Sequence, residues 1–203
     1  MRTAAVFLII AVLLFSVSCR KTEEPEEPED SPVPCTGTEG SEIIVRFIPR
    51  TAYANWTEDD GIRDESLNRP DPVPGYATNL PIYVFNSEED VKWFRDRFSG
   101  VLSMSQGYSE IPSFDEVTAS YGSGFFEDNC LVLAYVTASS GTFRFGIRDM
   151  KVTDQMLVME VVQTNDPEAY TDDMAGWFMM AEVPKTDIES CTGYEAFRVS
   201  GED

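Results

Sequence analysis

Residues 130–138, CLVLAYVTA, are an almost unbroken run of apolar and small side chains. A short run of this kind, rich in β-branched and aromatic residues, predicts a strand that is buried on both faces. We therefore expect a domain built around a central strand at this position.

Weaker strand patterns surround this run, and residues 50–79 indicate a long loop. Ser139-Ser140-Gly141 is a turn signal, and the alternating residues after it predict the second strand of a hairpin. Ser87 and the Ser113-x-x-Glu116 capping box predict two short helices inserted after the second strand. The fold class is α+β, a mainly antiparallel sheet or half-barrel of about seven strands. The other six predicted strands cover residues 42–49, 81–86, 142–148, 156–164, 177–183 and 194–199.

The N-terminus has the pattern of an export signal. Residues 4–15 form an uncharged apolar run after Arg2, shorter than the roughly 20 residues of a membrane-spanning helix and typical of a signal peptide. Small residues then precede Cys19, as at lipoprotein cleavage sites. We predict a signal peptide at residues 1–18 and lipid attachment at Cys19, which would anchor the protein to a membrane. The alternative is ordinary cleavage that leaves Cys19 without lipid.

Residues 19–40 contain four prolines and seven acidic residues but few apolar ones. Such a segment cannot bury enough surface to fold, so we predict a disordered tether. Residues 19–24 resemble the acidic export signal of surface lipoproteins in some Bacteroidetes. Residues 41–203 then form a single α+β domain. The expected location is extracytoplasmic, on the cell membrane or outer membrane, with the cell surface included.

Charge narrows the range of partners. The chain has 15 basic and 36 acidic residues, a net charge of −21, of which the predicted domain carries −17. Nucleic acids and anionic lipid headgroups bind clustered Lys and Arg. Neither is therefore an expected partner of this domain.

Residue types also limit the chemistry. The chain has no histidine, which excludes a Ser-His-Asp triad and His-ligated zinc. No phosphate-binding loop or nucleophile elbow is present, so we predict no catalytic residue, no metal site and no cofactor. If Cys19 carries lipid, then Cys35, Cys130 and Cys191 remain. An oxidising compartment would allow a disulfide from Cys35 or Cys130 to Cys191, and Cys130–Cys191 is the candidate pair; the alternative is that Cys130 is a thiol of the core.

A resemblance to a known family covers residues 80–199. It is carried by Trp93-Phe94, Phe114-Asp115, Ser139-Ser140-Gly141, Trp177 and Val183-Pro184-Lys185. This order is similar to the C-terminal domain of PrcB, a lipoprotein that accompanies a secreted bacterial protease. Uncharacterised clostridial lipoproteins are more similar still, with segments that read like Ser140-Gly141-x-x-Arg144 and Asp173-Met174-Ala175-x-Trp177. The PrcB pattern has paired glycines where this chain has only Gly146. The resemblance implies an exported lipoprotein with a β-rich accessory domain.

Two groups of residues are candidates for partner binding. Arg144 and Arg148 share the polar face of a predicted strand, where they could bind a carboxylate or an acidic peptide or pair with neighbouring acids. Asp173, Met174 and Trp177 could anchor a partner, because Trp and Met are enriched at interfaces. Trp177 could instead cap the core.

The resulting prediction is a non-catalytic binding or accessory domain that stabilises or recruits a secreted or envelope protein. The first alternative is a sugar- or peptide-binding module, suggested by Tyr53, Trp56 and Tyr76 in the predicted loop. The second is a hydrolase with paired carboxylates. Acids of one polar loop could also hold Ca²⁺ through oxygen ligands; these are Asp166, Glu168, Asp172 and Asp173.

Lipidation can be tested by intact-mass analysis of the protein purified from its own membrane fraction. We expect the mass of residues 19–203 plus acyl chains. Cys19→Ser should remove the acyl mass, whereas Cys35→Ser should keep it. Unmodified residues 19–203 in the medium would contradict the assignment.

Overall fold

The computed structural model describes residues 42–57 and 78–199. These residues belong to one compact unit, Thr38–Asp203. The predicted signal peptide, Cys19, the tether and Tyr76 lie outside them. None of the helices within the described ranges has the length and apolarity that a membrane crossing requires.

The elements in chain order are β1 (Ile43–Ile44), β2 (Ile48–Trp56), β3 (Thr78–Leu80), β4 (Ile82–Phe85), α1 (Glu88–Phe98), β5 (Leu102–Ser103), α2 (Phe114–Thr118), α3 (Phe125–Asp128), β6 (Asn129–Ala138), β7 (Phe145–Thr153), β8 (Met156–Gln163), β9 (Ala175–Pro184), α4 (Lys185–Ile188) and β10 (Gly193–Val199).

The described strands form two five-stranded sheets. The outer sheet has the order β1-β7-β8-β10-β3, and the central sheet has the order β4-β6-β9-β2-β5. Only β8 and β10 pair in parallel among these strands. Parallel neighbours need a crossover connection, which β9 supplies by running through the central sheet. The mostly β, mainly antiparallel fold, curled as a half-barrel and with few helices, is confirmed.

The central sheet is buried on both faces. Alternate residues of β6, such as Val132, Ala134 and Val136, pack with residues of the outer sheet. The residues between them, such as Leu131 and Leu133, pack with Phe side chains of the helices. Burial on both faces explains why residues 130–138 read as a continuous apolar run rather than an alternating one.

Two of the helices that cover the central sheet, α1 and α2, begin at side-chain caps. The Ser87 side chain accepts a hydrogen bond from the Asp90 backbone at the start of α1. The predicted capping box forms at α2, where Ser113 and Glu116 satisfy each other's backbone N–H groups. Phe94 and Phe98 of α1 are buried against the central sheet. In α1 and α2, capping thus fixes where the helix starts, and the apolar face of the helix fixes how it packs.

The described part of the chain has ten strands, so the predicted count of seven was wrong. Residues 42–49 divide into β1 and the beginning of β2, and β2 continues to Trp56 through residues predicted as loop. Ala52, Tyr53 and Ala54 are all buried there, and small residues buried on both faces give no alternating pattern. The added β3 and β5 have three and two residues, too few for any periodicity to show.

The predicted hairpin after Ser139-Ser140-Gly141 was also wrong. β6 pairs with β4 and β9, whereas β7 pairs with β1 and β8. Residues 139–144 therefore carry the chain from the central sheet to the outer sheet. Arg144 lies in this crossing, before β7 begins. A turn signal marks a change of direction but does not say which sheet the next strand joins.

Gly176 is required where β9 passes β2. A Cβ atom there would lie 2.7 Å from the Ala54 backbone oxygen and 2.5 Å from the Tyr135 hydroxyl. We expect Gly176→Ala to lower the free energy of unfolding by at least about 2 kcal/mol, since overpacking typically costs 1–3 kcal/mol. Gly124→Ala is the matched control, because nothing lies within 4 Å of its added Cβ. Equal stabilities of the two variants in urea unfolding would contradict this account.

Candidate partner-binding site

Two sequence segments predicted to carry function meet at the crossing between the sheets. The Ser140 hydroxyl lies 2.9 Å from the Thr171 hydroxyl and accepts a hydrogen bond from the Thr171 backbone N–H at 2.9 Å. The Gly141 N–H donates to Asp173 Oδ1 at 3.3 Å. Residues 140–144 and 171–177 therefore form one local structure, although they are 31 positions apart in the chain.

Asn165 fixes the backbone around Arg144. Its Oδ1 accepts from the Arg144 backbone N–H at 2.7 Å, and its Nδ2 donates to the Thr142 carbonyl at 2.8 Å. The Arg144 carbonyl accepts from the Thr164 N–H at 2.8 Å. Arg144 is thus held from both sides of its peptide unit. An Asn in a polar loop has no distinguishing pattern, so the sequence gives no signal for Asn165.

The Arg144 side chain folds back over its own loop. Nη1 donates to the Gly141 carbonyl at 2.7 Å and to the Phe143 carbonyl at 2.9 Å. The guanidinium carbon lies 4.9 Å from the Trp177 ring centroid and 5.2 Å from the Tyr108 ring centroid. Two hydrogen bonds and two cation–π contacts leave this half-buried guanidinium little freedom. We call Tyr108, Gly141, Arg144, Asp173 and Trp177 the Arg144 site.

Aromatic rings form the floor of this site. Tyr53 lies directly opposite Trp177 in the β2–β9 pair, with ring centroids 5.0 Å apart, and its ring is 4.9 Å from that of Tyr108. Burial raises the pKa of Tyr53, and the charge on nearby Asp173 adds to the effect. Trp177 is fully buried, so a partner could not contact it directly. Its burial agrees with the alternative in which it caps the core, and it supports Arg144 from below.

The edge of the site is exposed and partly apolar. Met174 is 49% exposed and Tyr170 is 62% exposed. The Tyr170 ring lies 5.3 Å from that of Phe143. A side-chain hydrogen bond from Thr171 and a backbone hydrogen bond from Gly141 lower the pKa of exposed Asp173, despite its slight burial. We call Phe143, Tyr170 and Met174 the rim.

Arg148 lies away from Arg144 and has a carboxylate partner. It is the extra residue of a β-bulge between Ile147 and Asp149, which interrupts the alternation that would have placed both arginines on one face. Its Nη2 and Nε donate to Glu160 Oε2 at 2.7 and 3.1 Å. Lys151 lies 3.2 Å from the other Glu160 oxygen. This is the alternative considered for Arg148, pairing with a neighbouring acid.

Cys130 and Cys191 are free thiols in this structure. Burial raises the pKa of Cys130 to about 11, even though Lys185 lies near enough to oppose the shift. Burial also raises the pKa of Cys191. Since thiolates are the reactive form, these groups would react slowly at neutral pH. Their disulfide stays a prediction.

The described carboxylates have two features that bear on the hydrolase and calcium alternatives. Four carboxylates have shifted pKa values, and each is lowered: Glu116, Glu160, Asp173 and Asp187. A glycosidase acid needs a raised pKa. Within the described ranges, no three His, Cys, Asp or Glu side chains are placed to hold a metal ion.

Comparisons with known proteins give this site no precedent. No family model, curated protein or solved structure matches the chain. The resemblance to the PrcB C-terminal domain therefore stays a prediction.

The buried Glu160 cluster has a testable pH dependence. Burial alone would raise the pKa of Glu160, but hydrogen bonds from Arg148 and Lys151 outweigh it and lower the pKa. A carboxylate with a lowered folded-state pKa adds stability above its unfolded pKa, and this is lost as the pH falls through the folded value. We expect Glu160→Gln to cost roughly 1–3 kcal/mol at pH 7.

The cost of Glu160→Gln should shrink as the pH falls from 5 toward 3, because the wild-type carboxylate then becomes neutral too. Urea unfolding at several pH values measures this, with Glu189→Gln, a change at an exposed position, as the matched control. If Glu160→Gln lowered the free energy of unfolding equally at every pH, Glu160 would not be an ionised partner of Arg148 and Lys151 in the folded protein.

Proposed function

We propose that the protein is an exported bacterial lipoprotein, anchored through Cys19, whose domain is a non-catalytic accessory module that binds a secreted or envelope protein at the Arg144 site and its rim. The observation that supports this most is the arrangement of Arg144 on Trp177 and Tyr108, beside exposed Tyr170 and Met174. Arg, Tyr and Met are the residue types enriched in protein interfaces.

The rigidity of the site favours binding. Side chains from separate segments fix the loop around Arg144 before any partner arrives. A preformed surface loses less conformational entropy on association than a mobile one. The proposed PrcB-like accessory role would use such a surface to hold a secreted enzyme.

The sugar-binding alternative has less support. Its motivating aromatics were expected together in a loop, but Tyr53 and Trp56 lie in β2. Tyr53 is buried in the floor of the Arg144 site and has no open face for a sugar ring. We therefore favour a protein partner.

The proposal is testable by site-specific photocrosslinking in living cells. A photoreactive residue at position 174 should give one dominant adduct with an exported protein. The same residue at position 93, where Trp93 is 56% exposed on α1, is the matched control and should not give that adduct. Tyr170→Ser should reduce the adduct about tenfold, since losing an interface aromatic typically costs more than 1 kcal/mol.

No adduct at position 174, or identical adducts at positions 174 and 93, would overturn the proposed surface. Mass spectrometry of the adduct identifies the partner and shows whether it carries an export signal.

A further inference from the structure

We infer that the Nε–Nη2 edge of Arg144 is a preformed binding point for a single carboxylate carried by the partner protein. The inference rests on the proposed function, because it specifies the chemistry of the partner at the same site.

Only one side of the Arg144 guanidinium has hydrogen-bond partners among the described residues. Both N–H groups of Nη1 are taken by the Gly141 and Phe143 carbonyls. Nε and Nη2 have no hydrogen-bond or ion-pair partner among the described residues. This edge of an arginine presents two parallel N–H groups that match the two oxygens of a carboxylate. The aromatic floor and the two carbonyls hold that edge in one orientation.

Four of the other described arginines have carboxylate partners, whereas Arg198 donates to the side-chain oxygen of Gln163 and lies over the Phe145 ring. The described pairs are Arg46–Asp187, Arg50–Glu182, Arg95–Asp115 and Arg148–Glu160. Acidic residues outnumber basic ones by 36 to 15 in the chain, so a partner for one more arginine is easily supplied. Asp173 is close in the fold, yet it accepts from the Gly141 N–H instead. Among the described residues Arg144 therefore has no ion pair, although Asp173 lies in the neighbouring segment.

A second donor at the site is also unused. Trp177 is fully buried, and its Nε1 has no hydrogen-bond partner among the described residues. Buried donors are nearly always satisfied in folded proteins. Trp177 Nε1 lies directly beneath the guanidinium, although it is one of several such buried atoms in the described part of the chain.

The ligand should carry one carboxylate rather than an acidic tract. The predicted domain has a net charge of −17, and its field repels a run of acids. Exposed Asp173 would repel a second carboxylate locally, because its lowered pKa keeps it ionised. The apolar rim residues Tyr170 and Met174 favour an apolar or aromatic group beside the carboxylate. Either a C-terminal carboxylate or one Asp or Glu in an uncharged segment has this chemistry.

Three small probes separate these sources in an NMR titration of the full chain, followed at the Arg144 Nε–Hε peak. N-acetylphenylalanine offers an α-carboxylate, and N-acetyl-Asp-phenylalaninamide offers a side-chain carboxylate. N-acetylphenylalaninamide has neither. We expect a saturable shift with at least one carboxylate probe, with a Kd on the order of millimolar, and none with the neutral amide. The probe that binds more tightly identifies the source.

Matched variants test the role of the Nε–Nη2 edge of Arg144. Arg144→Lys keeps the charge but loses the two parallel donors, so binding read at the Asn165 side-chain amide should weaken at least tenfold. Arg148→Lys changes an arginine that pairs with Glu160, and it should leave the affinity unchanged. An otherwise unchanged spectrum shows that each variant is folded.

Equal shifts with the acid and the neutral amide, or unchanged affinity in Arg144→Lys, would overturn the carboxylate assignment. If no carboxylate probe binds but the adduct at position 174 persists, the inference fails and the proposed partner surface stands. If carboxylates bind at Arg144 but no adduct forms at position 174, the proposed function fails. The inference that a partner protein carries the carboxylate then fails with it.

Discussion

The pairing of β6 with β9 is the constraint on which the rest of the structure depends. The two strands align without a register break from Asn129 opposite Pro184 to Ala138 opposite Ala175. Both are buried on both faces, so a slip by one residue would exchange the side chains of two different cores. On the other side of β9, the β2–β9 register places Gly176 opposite Ala54 and Trp177 opposite Tyr53. The floor of the Arg144 site is therefore a direct consequence of how the central sheet is paired.

The sequence indicates those parts of the fold whose signal is local. The run at residues 130–138 is visible because double-sided burial requires apolar side chains at every position, and the Ser113 capping box is visible because it needs two residue types at fixed spacing. The sheet that a strand joins, in contrast, depends on residues far away in the chain. Nothing in Ser139-Ser140-Gly141 distinguishes a hairpin from a crossing between sheets, and short β3 and β5 exist only because longer strands offer them an edge.

The same distinction applies to the candidate site. Arg144, Asp173 and Trp177 stand out by residue type, but their arrangement depends on Tyr108 and Asn165, which come from distant parts of the chain. Arg144 and Arg148 looked equivalent in sequence and differ in structure. The bulge and Glu160 engage Arg148 in an ion pair, whereas the crossing loop engages Arg144 through carbonyls. An alternating pattern cannot reveal a bulge, because the bulge is itself the interruption of the alternation.

A chain that crosses between sheets leaves the ladder hydrogen bonds of both, and its backbone groups need other partners. In residues 141–144 each of them has one. The four N–H groups bond to Asp173, the Ser140 hydroxyl, the Ser140 carbonyl and Asn165. The four carbonyls are met by Arg144 twice, by Asn165 and by the Thr164 N–H.

Most polar side chains of the site are thus accounted for by the needs of the crossing. Asn165 and Asp173 would be required here even if the protein bound nothing. The carbonyls of Gly141 and Phe143 need only the Nη1 group of Arg144, and a lysine could supply donors to them. The other edge of the guanidinium, which lies over Trp177 and Tyr108, has no acceptor among the described residues. Because the crossing uses only Nη1 as a hydrogen-bond donor, Nε and Nη2 remain available on the same guanidinium, and a carboxylate from outside the chain fits their geometry.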